Sequence, residues 1–167
     1  MIVPFFMYIS TTNKVIMKHK IDLDKVAEGF GISEESVKDF LNDGRVIGRL
    51  GEFIRTEMRK SNRASSEGSP YDINDDENGR EEIRAISKTI SFASSKEVGS
   101  GRKVTEEGFK KKMESVDIFV GVDYRNLSEI EFYEITKEAV YEMEQEGIMR
   151  KNKSVSAKKF FLFIGQK

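Results

Sequence analysis

Residues 69–73 (Ser-Pro-Tyr-Asp-Ile) and 79–85 (Gly-Arg-Glu-Glu-Ile-Arg-Ala) predict two short strands joined by a polar turn. Asp72 lies near the end of the first predicted strand, and Glu82 and Arg84 are two residues apart on the second. Side chains two residues apart on a strand lie on the same face. Two carboxylates and a cation at one place suit a hard metal ion and a phosphate, and such a site can cut nucleic acid.

The composition predicts one globular domain with a small appendage. The chain has 167 residues, of which 38% are apolar and 34% are charged. It has no cysteine, which excludes disulfides and thiolate zinc sites, and its single histidine, His19, makes zinc an unfavourable metal. No apolar run approaches the roughly 20 residues of a membrane span. The first ten residues, MIVPFFMYIS, have no basic start, so we interpret them as a strand and expect a cytoplasmic protein, in a cell or an infected host.

The net charge of −1 argues against nonspecific coating of DNA. The basic residues nevertheless form two groups, which are Lys96, Arg102, Lys103 and Lys110–Lys112, and then Arg150, Lys151, Lys153, Lys158 and Lys159. Each group fits either a local basic face or an ordinary solvated surface.

Hydrophobic periodicity and capping residues predict the elements of the chain. In the first part we expect strands at 2–9 and 14–20, a helix from Asp22 or Asp24 to Glu28, a Ser33-capped helix to Leu41, a long helix at 46–60 and a loop at 61–69. The apolar residues expected on one buried stripe of the long helix are Val46, Ile47, Leu50, Phe53, Ile54 and Met58. In the second part we expect strands near 71–74, 82–92, 117–124 and 131–136, helices from Thr105 to Ser115 and Thr136 to Glu146, and a last strand at Phe160–Ile164.

The order helix, three strands, helix, two strands, helix carries a family resemblance. Over residues 45–136 the chain resembles the PD-(D/E)xK nuclease superfamily, and within it the small type II restriction endonucleases. The matching segments are 70–72 for the first acid, 82–84 for the ExK part, 48–52 for the upstream acidic helix, and 98–102, Phe109 and 116–120 further on. The resemblance implies a mixed α/β fold with a restriction-endonuclease-like central sheet flanked by helices. Residues 45–167 would form this core, and 1–44 an appendage of strands and a helical hairpin.

The resemblance also implies an activity, which is Mg²⁺- or Mn²⁺-dependent hydrolysis of double-stranded DNA at a specific site. Asp72, Glu82 and the backbone carbonyl of Ile83 would hold the metal, and Glu52 would take part in a second metal site. Arg84 stands where the family usually has lysine. Arginine stays protonated, so at this position it can stabilise the phosphate but cannot accept a proton.

Contacts to DNA are expected on both sides of these acids. The candidate residues are Arg63, Ser65 and Ser66 before Asp72, and Lys96, Arg102 and Lys103 after Arg84. The family implies a homodimer, because two strands need two active sites. It also implies a cognate methyltransferase, not held in a stable complex, and no membrane partner.

Residues 22–45 resemble a helix-turn-helix, with Ala27 between the helices, Gly31 at the turn, and Ile32 and Val37 facing inward. The second helix offers mainly acids, Glu34, Glu35 and Asp39, which repel phosphates, so a helical hairpin packed beside the core is the favoured interpretation. Two alternative functions therefore stay open. One is a DNA-binding protein of the same fold with weak or no catalysis, and the other is a helix-turn-helix regulator.

Overall fold

A computed structural model describes residues 16–65, 69–94, 96–97 and 102–165. The elements of these residues are, in chain order, β1 (Ile16–Lys20), α1 (Leu23–Phe30), α2 (Glu34–Leu41), α3 (Gly44–Arg59), β2 (Asn62–Arg63), β3 (Ile73–Asp75), β4 (Gly79–Ile86), β5 (Thr89–Ser91), α4 (Glu106–Ser115), β6 (Ile118–Asp123), β7 (Glu129–Thr136), α5 (Lys137–Gln145), β8 (Ser154–Ser156) and α6 (Ala157–Gly165).

Six of the strands form one mixed sheet in the order β1-β7-β6-β4-β3-β2. β4 and β6 are parallel, with Glu82 opposite Phe119, and the other neighbouring strands are antiparallel. A parallel pair needs a long crossover, and here it contains β5 and α4. β5 pairs with β8 in a separate two-stranded sheet. The predicted mixed α/β class, a central sheet flanked by helices, is confirmed.

Each face of the main sheet buries its own hydrophobic core. α1, α2 and α3 pack on the face that carries Ile83, Val120 and Val122. α4, α5 and α6 pack on the face that carries Ile86 and Phe119. Because side chains alternate along a strand, neighbouring residues of β4 serve different cores.

Residues 16–44 are packed against the rest of the chain. β1 pairs along its whole length with β7 at the edge of the main sheet. Leu23 and Val37, from α1 and α2, share a hydrophobic cluster with Ile47 of α3. The predicted strand at 2–9 lies outside the described residues, and the division of the chain at residue 44 stays a prediction. Among the described helices, none has the length and apolar character needed to cross a bilayer.

Four of the predicted helix starts are confirmed, since capping depends on local sequence. The side chains of Asp22, Ser33, Thr105 and Thr136 each accept a hydrogen bond from a backbone N–H in the first turn of α1, α2, α4 and α5. α1 continues to Phe30, two residues beyond the predicted end.

The predicted strand at Phe160–Ile164 is wrong, because these residues belong to α6. The helix buries Phe160, Phe163 and Ile164 and leaves Leu162 54% exposed. A run of five apolar residues fits a buried strand and a buried helix equally well by periodicity. Here Ala157, three residues before Phe160, extends the buried stripe and the helix.

The strand predicted at 82–92 is divided in two. β4 ends at Ile86, and after a turn β5 leaves the main sheet to pair with β8. β3 begins at Ile73, so Asp72 lies just before the strand rather than near its end. The predicted loop at 61–69 contains the short strand β2, which pairs with β3.

Two predictions of inward-facing residues are also wrong. Ile32, in the turn after the left-handed residue Gly31 (φ 66°), is 47% exposed. On α3, Phe53 and Met58 are 49% and 45% exposed, although Ile47 and Ile54 of the same predicted stripe are buried. The buried stripe of α3 is therefore narrower than the sequence pattern indicates.

Candidate active site at the edge of β4

The side chain of Asp72 is hydrogen-bonded to the backbone of β4. Its Oδ2 accepts a hydrogen bond from the backbone N–H of Ile83 at 2.7 Å. Its own N–H donates to the carbonyl of Glu81 at 2.9 Å. These bonds place the Asp72 carboxylate beside β4, between the positions of Glu82 and Arg84. The two segments that define the predicted site are therefore adjacent in space.

Glu82 is a buried carboxylate with two cationic partners. Its Oε1 lies 2.8 Å from Nη2 of Arg84, and its Oε2 lies 2.5 Å from Nζ of Lys112. Burial raises the pKa of Glu82 above its usual value; Arg84 and Lys112 oppose this rise, and the negative charge of Asp72 adds to it. The effect of Asp72 on this pKa shows that the two carboxylates are electrostatically close.

Lys112 of α4 is the site residue that the sequence analysis missed. Its Nζ contacts Glu82 and also donates to the carbonyl of Pro70 at 2.7 Å. Burial lowers the pKa of Lys112, Glu82 opposes this change, and Arg84 adds to it. A signal was present in the sequence, because Phe109, Lys112 and Met113 have the i, i+3, i+4 spacing of a buried helical stripe.

Arg84 is fixed rather than free. Its Nη2 donates to the backbone carbonyl of Ala93 at 2.7 Å and contacts Glu82. Its Nε is buried and has no hydrogen-bond partner among the described residues. The predicted placement of Glu82 and Arg84 on one face of β4 is confirmed by their ion pair.

Glu52 lies in a cleft beside this cluster. The cleft has a volume of about 510 Å³ and is lined by Arg49, Glu52, Arg63, Ala64, Ser65, Ser69, Tyr71 and Asp72. Oε2 of Glu52 lies 2.6 Å from Nη1 of Arg49. Partial burial raises the pKa of Glu52, and so does the charge of Asp72, while Arg49 opposes the rise. Asp72 is therefore electrostatically coupled to Glu52 on one side and to Glu82 on the other.

The carboxylate oxygens of this cluster are of the kind that bind a hard cation, but three carboxylates are not gathered at one point in the described residues. Within the described ranges, no three Asp, Glu, His or Cys side chains are gathered closely enough to hold one metal ion. Asp72 and Glu82 provide carboxylate oxygens of the kind that Mg²⁺ and Mn²⁺ prefer. The carbonyl of Ile83 points to the Asp72 side of β4, because N–H and C=O of one strand residue point the same way. Asp72, Glu82 and the Ile83 carbonyl are the donors that could hold a metal here, and their role, like that of Glu52, stays a prediction.

The residues predicted to contact DNA lie in two separate parts of the structure. Arg63 and Ser65 line the cleft, and Ser66 lies outside the described residues. Lys96, Arg102 and Lys103 are exposed on the segment before α4 and do not line the cleft. Residues 98–101 of the matching segment 98–102 lie outside the described residues.

The helical hairpin of α1 and α2 has an acidic second helix. Glu34 and Glu35 lie in the first turn of α2, and Glu34 forms an ion pair with Lys38. Ala27 and Val37 are buried against the main core, as predicted. The packing of the hairpin on α3 agrees with a structural role for α1 and α2.

No protein-family model, curated protein or solved structure matches this chain.

Proposed function

We propose that the chain is a Mg²⁺- or Mn²⁺-dependent endonuclease that hydrolyses phosphodiester bonds of double-stranded DNA at a specific site. The observation that carries the proposal is the cluster of Asp72, Glu82 and Lys112. Three separate segments, the residues before β3, the strand β4 and the helix α4, contribute one group each. Buried ionisable groups with shifted pKa values beside an open cleft are typical of catalytic sites.

The order of elements supports the proposal. From α3 onward the chain runs helix, strands β2, β3 and β4, helix α4, strands β6 and β7, and helix α5, with the short β5 before α4. This order has one strand more, β5, than the order helix, three strands, helix, two strands, helix on which the resemblance to PD-(D/E)xK nucleases rests. Asp72 lies directly before β3 and Glu82 lies on β4, and β3 and β4 are adjacent strands of one sheet.

The chain's own residues have distinct roles in this proposal. Asp72, Glu82 and the Ile83 carbonyl would hold the metal, and Glu52 would assist from the cleft. The metal would supply charge neutralisation at the phosphate and at the leaving oxygen, and would make water a better nucleophile. In the hydrolysis a water oxygen forms a bond to phosphorus and loses a proton to solvent. The bond from phosphorus to the 3′ oxygen breaks, and that oxygen leaves with the electron pair and is protonated by solvent.

In this proposal Lys112 supplies the ammonium that the family's lysine would otherwise supply, and Arg84 holds Glu82. The ammonium of Lys112 lies next to Glu82 and is anchored by the carbonyl of Pro70. A cation there orients the attacking water and offsets the charge of the pentavalent phosphate. Arg84, bound to the carbonyl of Ala93, fixes the other oxygen of Glu82.

The assembly and context of the activity follow the same resemblance. The proposed enzyme acts as a homodimer, because a double strand requires two cuts. It works in the cytoplasm, and a separate methyltransferase protects the host DNA without forming a stable complex with it.

Cleavage of plasmid and genomic DNA of several base compositions, with Mg²⁺ or Mn²⁺, tests the proposal. Asp72→Ala and Glu82→Ala should each reduce the cleavage rate by more than the roughly 10–100-fold typical for loss of an outer-shell partner of a metal. Asp76→Ala, which removes an exposed acid from the neighbouring turn, is the matched control and should cut normally. Cleavage that persists in both site variants would contradict the proposed active site.

A specific observation favours a second candidate, a DNA-binding protein of this fold without cleavage. The side chain of Glu82 is 5% exposed and is already neutralised by Arg84 and Lys112. If this arrangement persists on DNA, the carboxylate is not available to a metal. The same assay separates the candidates, since this protein would bind duplex DNA but leave it uncut with either metal.

A further inference from the structure

The exposed ring of Phe53 on α3 holds two guanidinium groups beside the cleft. The guanidinium carbon of Arg63 lies 4.1 Å from the centroid of the Phe53 ring, and that of Arg49 lies 5.5 Å from it. A guanidinium stacked on an aromatic face is attracted to the ring and loses freedom of orientation. Phe53 thus has a reason to be on the outer side of α3, 49% exposed, instead of in the core.

Arg63 has an unused donor in this stacked position. Its Nη1 is buried, lacks a hydrogen-bond partner among the described residues, and belongs to a side chain that lines the cleft. The neighbouring acid Glu52 is already engaged by Arg49 at 2.6 Å. Buried guanidinium donors without a partner are uncommon in folded proteins. A phosphate oxygen is the acceptor that a fixed guanidinium binds best.

We propose that the cleft is a phosphate subsite, in which Arg63 binds a backbone phosphate of the DNA next to the one that is cut. This inference rests on the proposed function, and the contact between Arg63 and the phosphate takes no part in the hydrolysis. Glu82 and Lys112 do not line the cleft, whereas Asp72 is shared by the cleft and the catalytic cluster. We assign the cleft, which Glu82 and Lys112 do not line, to a phosphate next to the scissile one. Phe53 is a positioning residue, because it acts through Arg63.

The salt dependence of DNA binding measures this contact directly. Binding of a fluorescein-labelled duplex of random sequence is followed by anisotropy, in EDTA to prevent cleavage, over a range of salt concentrations. Loss of one phosphate contact reduces the slope of log K against log salt by about 0.9. Arg63→Gln should show this reduction. Arg45→Gln removes a cation from the first turn of α3 whose side chain is 92% exposed and does not line the cleft, so it should leave the slope unchanged.

Variants of Phe53 test the positioning role. Phe53→Leu should weaken binding, and Arg63→Gln should weaken binding less in the Phe53→Leu background than in the wild type. Fully additive losses would overturn the role of Phe53. Far-UV circular dichroism of each variant checks the fold, and Arg63→Lys should keep the salt slope while binding more weakly.

The outcomes separate this inference from the proposed function. A wild-type protein that cuts DNA, with an unchanged slope for Arg63→Gln or an equal change for Arg45→Gln, overturns the subsite alone. A wild-type protein that binds no duplex overturns both proposals. A reduced slope for Arg63→Gln in a protein that never cuts supports the phosphate contact and overturns the nuclease.

Discussion

Lys112 is the residue on which the candidate site most depends. Its side chain is 7% exposed, yet it carries an ammonium between a carboxylate and a backbone carbonyl. Burying a charge is costly unless it is paired and hydrogen-bonded. Leucine or methionine at this position, on the buried stripe of α4 with Phe109 and Met113, would carry no such cost. A function for Lys112 explains why a charge is present there.

Lys112→Met is expected to lower the cleavage rate by more than about 10–100-fold, because Glu82 and the phosphate lose their nearest ammonium. It should also lower the melting temperature, since Glu82 loses one of its two cations. The double variant Glu82→Gln/Lys112→Met removes both charges of this pair, so it should be more stable than Lys112→Met. Cleavage by Lys112→Met at the wild-type rate would contradict a catalytic role for Lys112.

For single residues, the sequence predicted the contact of Glu82 with Arg84 but not the contribution of Lys112. Glu82 and Arg84 were identified by the two-residue period of a strand, and their contact is observed. Lys112 was grouped with its neighbours Lys110 and Lys111 as a basic cluster, although they are exposed and it is buried. The contact of Lys112 with Pro70 spans 42 positions of sequence. Local patterns indicate which face a residue lies on, but they do not identify what lies across from it.

Among the elements, an ion pair joins the start of β4 to the residue directly before β6. Nε and Nη2 of Arg80 donate to Oδ2 and Oδ1 of Asp117 at 2.9 and 3.0 Å. The backbone N–H of Arg80 also donates to Oδ2, and the N–H of Asp117 donates to the carbonyl of Arg80 at 2.7 Å. Gly79, at φ 74°, leaves room for this contact, since a Cβ there would lie 2.6 Å from Oδ2 of Asp117.

Asp117→Asn is expected to reduce the free energy of unfolding at pH 7 by about 1 kcal/mol, because both side chains are 39% exposed and solvent screens the pair. Arg80 lowers the pKa of Asp117 from 3.8 to about 2 in the folded state. A lowered folded-state pKa stabilises the protein above pH 3.8, and this stabilisation is lost as the pH falls towards 2.

Urea unfolding of the wild type and Asp117→Asn at pH 7 and at several pH values below 4 checks this prediction. The difference between the two proteins should shrink as the pH falls. A difference that stays constant down to the lowest pH would contradict the assignment of the stabilisation to the charged form of Asp117.

The elements themselves were predictable where their signals are local. The side chains of Ser33, Thr105 and Thr136 cap the helices that the sequence assigned to them. The pairing of β5 with β8 was missed, because it joins Thr89 to Ser156 and each strand has three residues. Such short strands carry too few residues for a period of two to be recognised.

At the scale of the whole molecule, the alternation of Glu81 and Glu82 assigns one acid to each face of the sheet. Glu82 serves the candidate site on the α4 side. Glu81 is fully buried on the α3 side, where Nε and Nη2 of Arg55 donate to it at 2.9 and 2.8 Å. Arg55 also contacts Glu134 of β7 and the sulfur of Met17 in β1. One guanidinium thus joins α3 to three strands of the main sheet.

Arg55→Met is expected to destabilise the protein by about 3–5 kcal/mol, because it leaves Glu81 as a buried carboxylate without its cation. Arg59→Met, on the same helix, is the matched control. Arg59 is 24% exposed, and its buried partner Asp75 also accepts hydrogen bonds from the backbone N–H groups of Glu77 and Asn78, so loss of Arg59 should cost less than loss of Arg55. Chemical denaturation of both variants measures the difference without any assumption about function. An equal loss of unfolding free energy in the two variants would show that Arg55 does not hold α3 to β1, β4 and β7.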